Sequence, residues 1–312
     1  MAHIHIPGRA AHRVMSAVAL LTVTVGGLSA CGSDETPARA DSASSSSAAP
    51  ARPGTDPEAE QKPHMIDNGG HRLAFHVTEG HGPTIVLDAG GGEDSSYWKD
   101  IVPKLHAATG ARIITYDRAG LGQSDPVPGP WRVEDAVSDL KAGLRELGVS
   151  EDVLLVAHSQ AGEIATYFAE ENPGLVAGAV LVDASLPPLY TDEEIARLAA
   201  ANQPAVDAAK KDPAEPRNRQ LISLAESYVP LHKAYHRAAW PDTVPATVIV
   251  SEKTPLEGSP EDAMRWRDAA AAFVGQGPDR TLVTAKGSSH DIPKDRPALV
   301  LEEIEKMARA AG

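Results

Sequence analysis

The sequence has one cysteine, few aromatic residues and no excess of positive charge, and each shortage excludes something. Because Cys31 is the only cysteine among 312 residues, an intramolecular disulfide is impossible. Aromatic residues make up 4% of the chain, so leucine, valine, isoleucine and alanine must build the core. The formal net charge is −14, and a body this acidic repels polyphosphate, so we expect no nucleic-acid partner.

The position of Cys31 suggests why it is present. It follows an uncharged run over residues 14–30, and Arg9 and Arg13 precede that run, an order typical of a secretory signal. The four residues ending at Cys31, Leu-Ser-Ala-Cys, resemble a bacterial lipoprotein lipobox. The resemblance implies a signal peptide over residues 1–30, lipidation of Cys31, and export with anchoring to the outer face of the cell membrane. An ordinary signal peptide with a chance cysteine is the alternative.

The rest of the chain falls into a polar segment and one large domain. Residues 31–62 are rich in serine, alanine, proline and charge, which predicts a disordered tether with no membrane contact beyond the lipid anchor. Over residues 63–312, short apolar runs alternate with helical patterns, which predicts an α/β domain with a mostly parallel sheet. Residues 187–241 break this alternation and predict a helical cap, opened by a capping box at Thr191. Strands are predicted over 84–87, 112–116, 153–157, 179–182, 246–250 and 281–284.

Ser159 is the leading candidate for a reactive residue. It comes directly after the apolar run 153–157 and before a helical pattern, and its neighbours are small, as a tight strand-to-helix turn requires. Residues 157–161, Ala-His-Ser-Gln-Ala, resemble the G-x-S-x-G nucleophile elbow of the α/β-hydrolase family, with alanine in place of both glycines. The resemblance implies the α/β-hydrolase fold with Ser159 as nucleophile. A serine that only caps a helix is the alternative.

Attack by a serine creates an oxyanion, which needs preorganised N–H donors. The amide of Gln160, at the start of the following helix, is one candidate. The family resemblance places the second donor at Gly91, in the glycine-rich loop 88–98. The extra glycine at Gly92 leaves this assignment open by one residue, and a simple flexible turn is the alternative.

His290 is the candidate base. It lies between the last predicted strand and the last helical pattern, where the α/β-hydrolase family carries its catalytic histidine. His158, adjacent to the serine, is expected to pack away from the chemistry. A further stretch, residues 116–125, matches the D-x-x-G-x-G-x-S turn of the family, and we expect Asp117 and Arg118 in it to be structural.

The acid that orients the histidine is where the sequence departs from the family. The usual position, after the strand 246–250, holds Thr254, which carries no negative charge. Asp183, at the end of the preceding strand, is the preferred replacement because some lipases of this fold place their acid there. Glu257, Glu252 and the absence of any acid stay open as alternatives.

The resemblance implies a serine hydrolase, and a carboxylesterase that forms an acyl-enzyme on Ser159 is the leading interpretation, with a small-molecule ester as substrate. No metal-ligand spacing or dinucleotide-binding loop is present in the sequence, so neither a metal nor a cofactor is expected. An aminopeptidase or a carbon–carbon bond hydrolase would use the same three residues. A non-catalytic binding lipoprotein on a hydrolase scaffold is the alternative from another class.

Overall fold

The computed structural model of the protein describes residues 62–253 and 259–311. Within them, eight strands form one sheet in the order β1-β2-β4-β3-β5-β6-β7-β8. The two pairs that involve β2, with β1 and with β4, are antiparallel, and all other neighbours are parallel. In chain order, β1 to β8 are His64–Asn68, His71–Thr78, Thr84–Asp88, Arg112–Tyr116, Val153–His158, Val176–Val182, Ala246–Ser251 and Arg280–Ala285.

Helices cover both faces of the sheet, which confirms the predicted fold class. On one face, α2, α3 and α6 enclose a core that includes Leu140 and Phe168. On the other face, α1 and α8 enclose a second core that includes Leu105 and Ile304. The central strands β3 and β5 are therefore buried along their whole length, which explains why residues 85–87 and 153–157 are continuously apolar. In chain order, α1 to α8 are Val102–Thr109, Val133–Glu146, Ala161–Glu171, Asp192–Ala209, Pro216–Tyr235, Pro260–Gly275, Ile292–Asp295 and Pro297–Ala311.

The cap consists of α4 and α5, which are inserted between β6 and β7 and pack against each other. Thr191 caps α4 as its sequence predicts, because its hydroxyl accepts a hydrogen bond from the amide of Glu194 at 3.2 Å. The second cap helix, α5, continues without a break through Pro230. The hydroxyl of buried Tyr235 donates to the carbonyl of Ser185 at 2.8 Å, which fastens the cap to the loop after β6.

Over residues 62–253 and 259–311, no helix combines the length and the apolar character needed to cross a bilayer. The expected signal peptide over residues 1–30, the expected lipidation of Cys31 and nearly all of the expected tether concern residues outside those that the structure describes.

Candidate active site

Three of the predicted site residues meet at the carboxyl edge of the sheet. Ser159 follows β5, Asp183 follows the neighbouring parallel strand β6, and His290 lies in the loop after β8. The carboxyl ends of parallel strands share one edge, so residues that follow them come close although they are far apart in the chain.

Ser159 lies on a strained turn between β5 and α3. Its φ of 55° is in the left-handed region, which a residue with a side chain seldom adopts. Main-chain hydrogen bonds hold this conformation: its amide donates to the carbonyl of Val182 at 3.2 Å, and its carbonyl accepts from Gly162 at 3.0 Å and Ser185 at 2.8 Å. The loop after β6 therefore supports the turn that presents the serine hydroxyl.

At this turn, neighbouring atoms leave no room for a side chain at Gly162, whereas they accommodate the two alanines that replace the family's glycines. A Cβ on Gly162 would lie 2.4 Å from the carbonyl oxygen of Ser185 and 2.8 Å from Cβ of Ala184. Ala157 and Ala161 are buried and accommodated at their positions. The elbow therefore tolerates alanine at those positions and requires glycine one residue farther along.

Replacing Gly162 by alanine is expected to lower the free energy of unfolding by about 1–3 kcal/mol, because the new methyl group meets main-chain atoms that cannot move aside. Alanine favours a helix over glycine by about 1 kcal/mol, so the clash must exceed that gain. Urea unfolding of Gly162→Ala and Gly174→Ala checks this, since a Cβ on Gly174 meets nothing within 4 Å. Equal or greater stability of Gly162→Ala than of the unmodified protein contradicts the steric argument.

Ser159, His290 and Asp183 form an unbroken hydrogen-bonded chain. The hydroxyl oxygen of Ser159 lies 2.8 Å from Nε2 of His290, and Nδ1 of His290 lies 2.7 Å from Oδ2 of Asp183. A carboxylate only accepts, so Nδ1 carries the proton and donates it to Asp183. Nε2 is then left as the acceptor for the serine hydroxyl, which is the arrangement a general base requires.

Asp183 is held as a charged group in a buried place. Its Oδ1 accepts from the amide of Ser251 and from Nε1 of Trp266, both at 2.9 Å, and its Oδ2 accepts from the Ser251 hydroxyl at 2.7 Å. Burial raises the pKa of this carboxyl. The hydrogen bond from His290, the charge of His290 and the two hydrogen bonds from Ser251 lower it by more, so the pKa lies below its usual value. No sequence pattern indicated that Ser251 and Trp266 would contact Asp183.

Of the alternative acids, Glu252 lies within the described residues, and its carboxylate contacts the backbone rather than His290. Oε2 of Glu252 accepts from the amide of Gly287 at 2.6 Å and so supports the backbone of the loop that leads to His290. Glu257 and Thr254 lie outside the described residues. Among the candidates whose placement is known, Asp183 is therefore the one that contacts the histidine.

The glycine-rich loop after β3 packs directly against the serine. A Cβ on Gly90 would lie 3.2 Å from Cβ of Ser159, so the loop could not come this close with a larger residue there. Buried Arg118 donates to the carbonyls of Ala89, at 2.6 Å, and Gly90, and forms an ion pair with Asp88 at 2.9 Å. This is a structural role, as the sequence predicted for Arg118.

Arg118 also determines which way the next amide points. In a trans peptide the C=O and N–H groups point in opposite directions, so the N–H of Gly91 faces away from the guanidinium that binds the carbonyl of Gly90. Over residues 62–253 and 259–311, neither this N–H nor that of Gln160 has a hydrogen-bond acceptor. Both predicted donors are therefore unpaired beside the elbow.

His158 is closer to the chemistry than the sequence predicted. Its ring is 4% exposed, stacks on Tyr97 with centroids 4.9 Å apart, and lies 4.7 Å from the ring of His290. Burial and the neighbouring charge of His290 lower the pKa of His158 to about 3. The unfolded chain protonates His158 more readily than the folded chain does. Acid therefore favours unfolding: the folded state has its full stability with respect to His158 above about pH 6.5 and loses part of it as pH falls from there towards 3.

Comparison with known proteins identifies the family to which this arrangement belongs. The model of the alpha/beta hydrolase family matches residues 85–303. The chain belongs to the α/β-hydrolase family. The chain is 26% identical over 249 residues to the uncharacterized protein YqjL of Bacillus subtilis, and the match covers 77% of this chain and 88% of that protein. It is also 35% identical over 121 residues to a non-heme haloperoxidase of Rhodococcus erythropolis, 38% of this chain and 43% of that protein.

Solved structures resemble the chain over most of its length. An esterase from Exiguobacterium antarcticum superimposes with a TM-score of 0.60 at 16% identity, covering 80% of this chain and 100% of that one. A bromoperoxidase from Bacillus anthracis gives 0.61 at 16% identity with the same coverage. An enol-lactonase from Burkholderia xenovorans gives 0.53 at 20% identity, covering 77% of this chain and 97% of that one. At these identities the likeness establishes the fold alone.

Proposed function

We propose that this hydrolase cleaves carboxylic esters through an acyl-enzyme on Ser159. The observation that carries the proposal is the hydrogen-bonded chain from Ser159 through His290 to Asp183, with links of 2.8 and 2.7 Å. A serine hydroxyl is a poor nucleophile until a positioned base removes its proton, and His290 is placed to do so. Asp183 holds the tautomer of His290 that leaves Nε2 free to accept.

In the first half-reaction, the serine oxygen forms a bond to the ester carbonyl carbon while its proton passes to Nε2 of His290. The carbonyl oxygen becomes an oxyanion, which the amides of Gly91 and Gln160 stabilise. Asp183 stabilises the positive imidazolium. The intermediate then collapses: the bond to the alcohol oxygen breaks, and His290 gives its proton to that oxygen.

In the second half-reaction, water replaces the alcohol. His290 removes a proton from the water as its oxygen bonds to the acyl carbon, and the same two amides hold the new oxyanion. Collapse breaks the bond to Ser159, whose oxygen recovers the proton from His290. The products are a carboxylic acid, an alcohol and the free enzyme, so no other reactant is needed.

The descriptions of the structural neighbours favour an ester over other substrates of the same chemistry. The neighbour from Exiguobacterium antarcticum is described as an esterase and the one from Burkholderia xenovorans as an enol-lactonase, and lactones are cyclic esters. The intact hydrogen-bonded chain also argues against the non-catalytic alternative, because such a scaffold has no reason to retain it. Another neighbour is a meta-cleavage product hydrolase, so carbon–carbon bond cleavage is kept as an outcome of the test.

The test is a substrate series with the full chain. p-Nitrophenyl esters of increasing acyl length are compared with p-nitroanilides of the same acids and with a vinylogous 1,5-diketone as a carbon–carbon substrate. We expect the esters to turn over, with an initial burst of p-nitrophenol equal to the enzyme present, as an acyl-enzyme predicts. Turnover of the anilides or the diketone in preference to every ester would overturn the proposal.

A further inference from the structure

The ring of His158 lies between the two loops that complete the candidate active site. Nε2 of His158 is 3.1 Å from the main-chain carbonyl oxygen of His290. A carbonyl oxygen only accepts, so Nε2 carries a proton and donates it there. The hydrogen bond therefore fixes the backbone of His290 and leaves that residue's imidazole for the contacts with Ser159 and Asp183.

The opposite side of the ring faces the glycine-rich loop. Nδ1 of His158 is buried and has no hydrogen-bond partner among the described residues. A Cβ on Gly90 would lie 2.9 Å from this nitrogen, so the loop that carries Gly91 packs against it. With one proton on Nε2 and no acceptor at Nδ1, the ring is neutral, and burial with the charge of His290 keeps its pKa at about 3.

Neutrality matters because His290 becomes positive during the proposed reaction. The two ring centroids are 4.7 Å apart, and a second cation at that distance in a buried site would oppose formation of the imidazolium. A neutral N–H donor holds the backbone of His290 without this penalty. Lysine or arginine at position 158 would supply a donor but also a charge.

Tyr97 packs against His158 and also binds Asp291, the residue after His290. Its ring stacks on His158 at an interplanar angle of 18°, and its hydroxyl donates to Oδ1 of Asp291 at 2.7 Å. Oδ2 of Asp291 is in turn 2.7 Å from Nζ of Lys294. His158 therefore holds the backbone of His290, while Tyr97 holds the side chain of the next residue, Asp291.

We propose that His158 is a positioning residue for the base, holding the main-chain carbonyl of His290 so that its imidazole bridges Ser159 and Asp183. The inference rests on the proposed ester hydrolysis and adds to it a residue that touches neither substrate nor the reacting atoms. The donor, rather than the ring's bulk, carries the effect, because it is the donor that contacts His290.

The test separates the donor from the ring. His158→Phe keeps an aromatic ring against Tyr97 and lacks the donor, whereas His158→Gln loses the ring and keeps an amide N–H at similar reach. For p-nitrophenyl acetate we expect kcat of the Phe variant to fall about 10- to 100-fold, with KM within about twofold, and kcat of the Gln variant to stay within about fivefold of the unmodified enzyme. If the Phe variant does not fold, His158→Asn replaces it, since its amide is one methylene too short.

If the substitutions only damaged the fold, the kinetic constants of the three variants would differ from this expectation. Equal losses of kcat in the Phe, Asn and Gln variants, or a loss confined to KM, would overturn the positioning role, as would full kcat in the Phe variant. Complete labelling of Ser159 by a fluorophosphonate at long times shows that each variant is folded. If the unmodified enzyme neither hydrolyses an ester nor labels, the proposed function itself fails and this inference fails with it.

Discussion

Asp183→Asn is expected to lower kcat for ester hydrolysis by about 10⁴-fold, while KM stays within about threefold. Asparagine has the shape of aspartate but no charge, so the imidazolium loses its counter-charge. If the new amide nitrogen faces Nδ1 of His290, the ring must place its proton on Nε2 and can no longer accept from Ser159. If it faces the other way, it meets the N–H groups of Ser251 and Trp266.

Two further carboxylates provide matched controls for this prediction. Glu252→Gln should leave kcat within about twofold of the unmodified enzyme, since Glu252 contacts the amide of Gly287 and not the histidine. Glu257→Gln tests the remaining alternative from the sequence. Steady-state kinetics on one ester decides among the three, and near-normal kcat in Asp183→Asn with a large loss in either glutamine variant would assign the acid elsewhere.

Ser159→Ala is expected to lower kcat by about 10⁵- to 10⁶-fold, because the variant lacks the hydroxyl that attacks the ester in the proposed reaction. The remaining rate reflects the oxyanion donors and substrate binding. The measurement is initial rates with protein from a host free of the unmodified enzyme. Ser185→Ala, a buried serine whose hydroxyl contacts Tyr190, is the control and should keep kcat within about fivefold.

A loss of less than about 100-fold in Ser159→Ala would mean that another residue attacks the ester. Equal losses in the two serine variants would point to damage of the turn. The main-chain amide of Ser185 donates to the carbonyl of Ser159, so thermal unfolding of both variants separates the two explanations.

The sequence was sufficient for the fold and for two of the three residues in the hydrogen-bonded chain. Short apolar runs between small residues are a local pattern, so the strands that carry the site could be located without knowing their neighbours. Ser159 and His290 each follow a predicted strand, and the carboxyl ends of parallel strands meet at one edge. Ser159 and His290 are therefore expected at the same edge of the sheet, irrespective of the sequence that separates them.

What the sequence left open depends on contacts across the fold. It could not decide between Asp183 and the glutamates, because the support of Asp183 comes from Ser251 and Trp266, 68 and 83 residues away. No local pattern encodes the packing of α6 that brings the Trp266 indole there. The contact of His158 with His290 was missed for the same reason, since it depends on how the loop after β8 folds.

Covalent labelling of the full chain by a fluorophosphonate, followed by peptide mass spectrometry, tests directly whether Ser159 is an activated nucleophile. These probes react with a serine that a neighbouring base has activated. We expect one adduct per chain, located on Ser159, absent in Ser159→Ala and formed far more slowly in His290→Ala. If the unmodified protein forms no adduct, or if the adduct maps to another residue and persists in Ser159→Ala, then Ser159 is not the activated nucleophile.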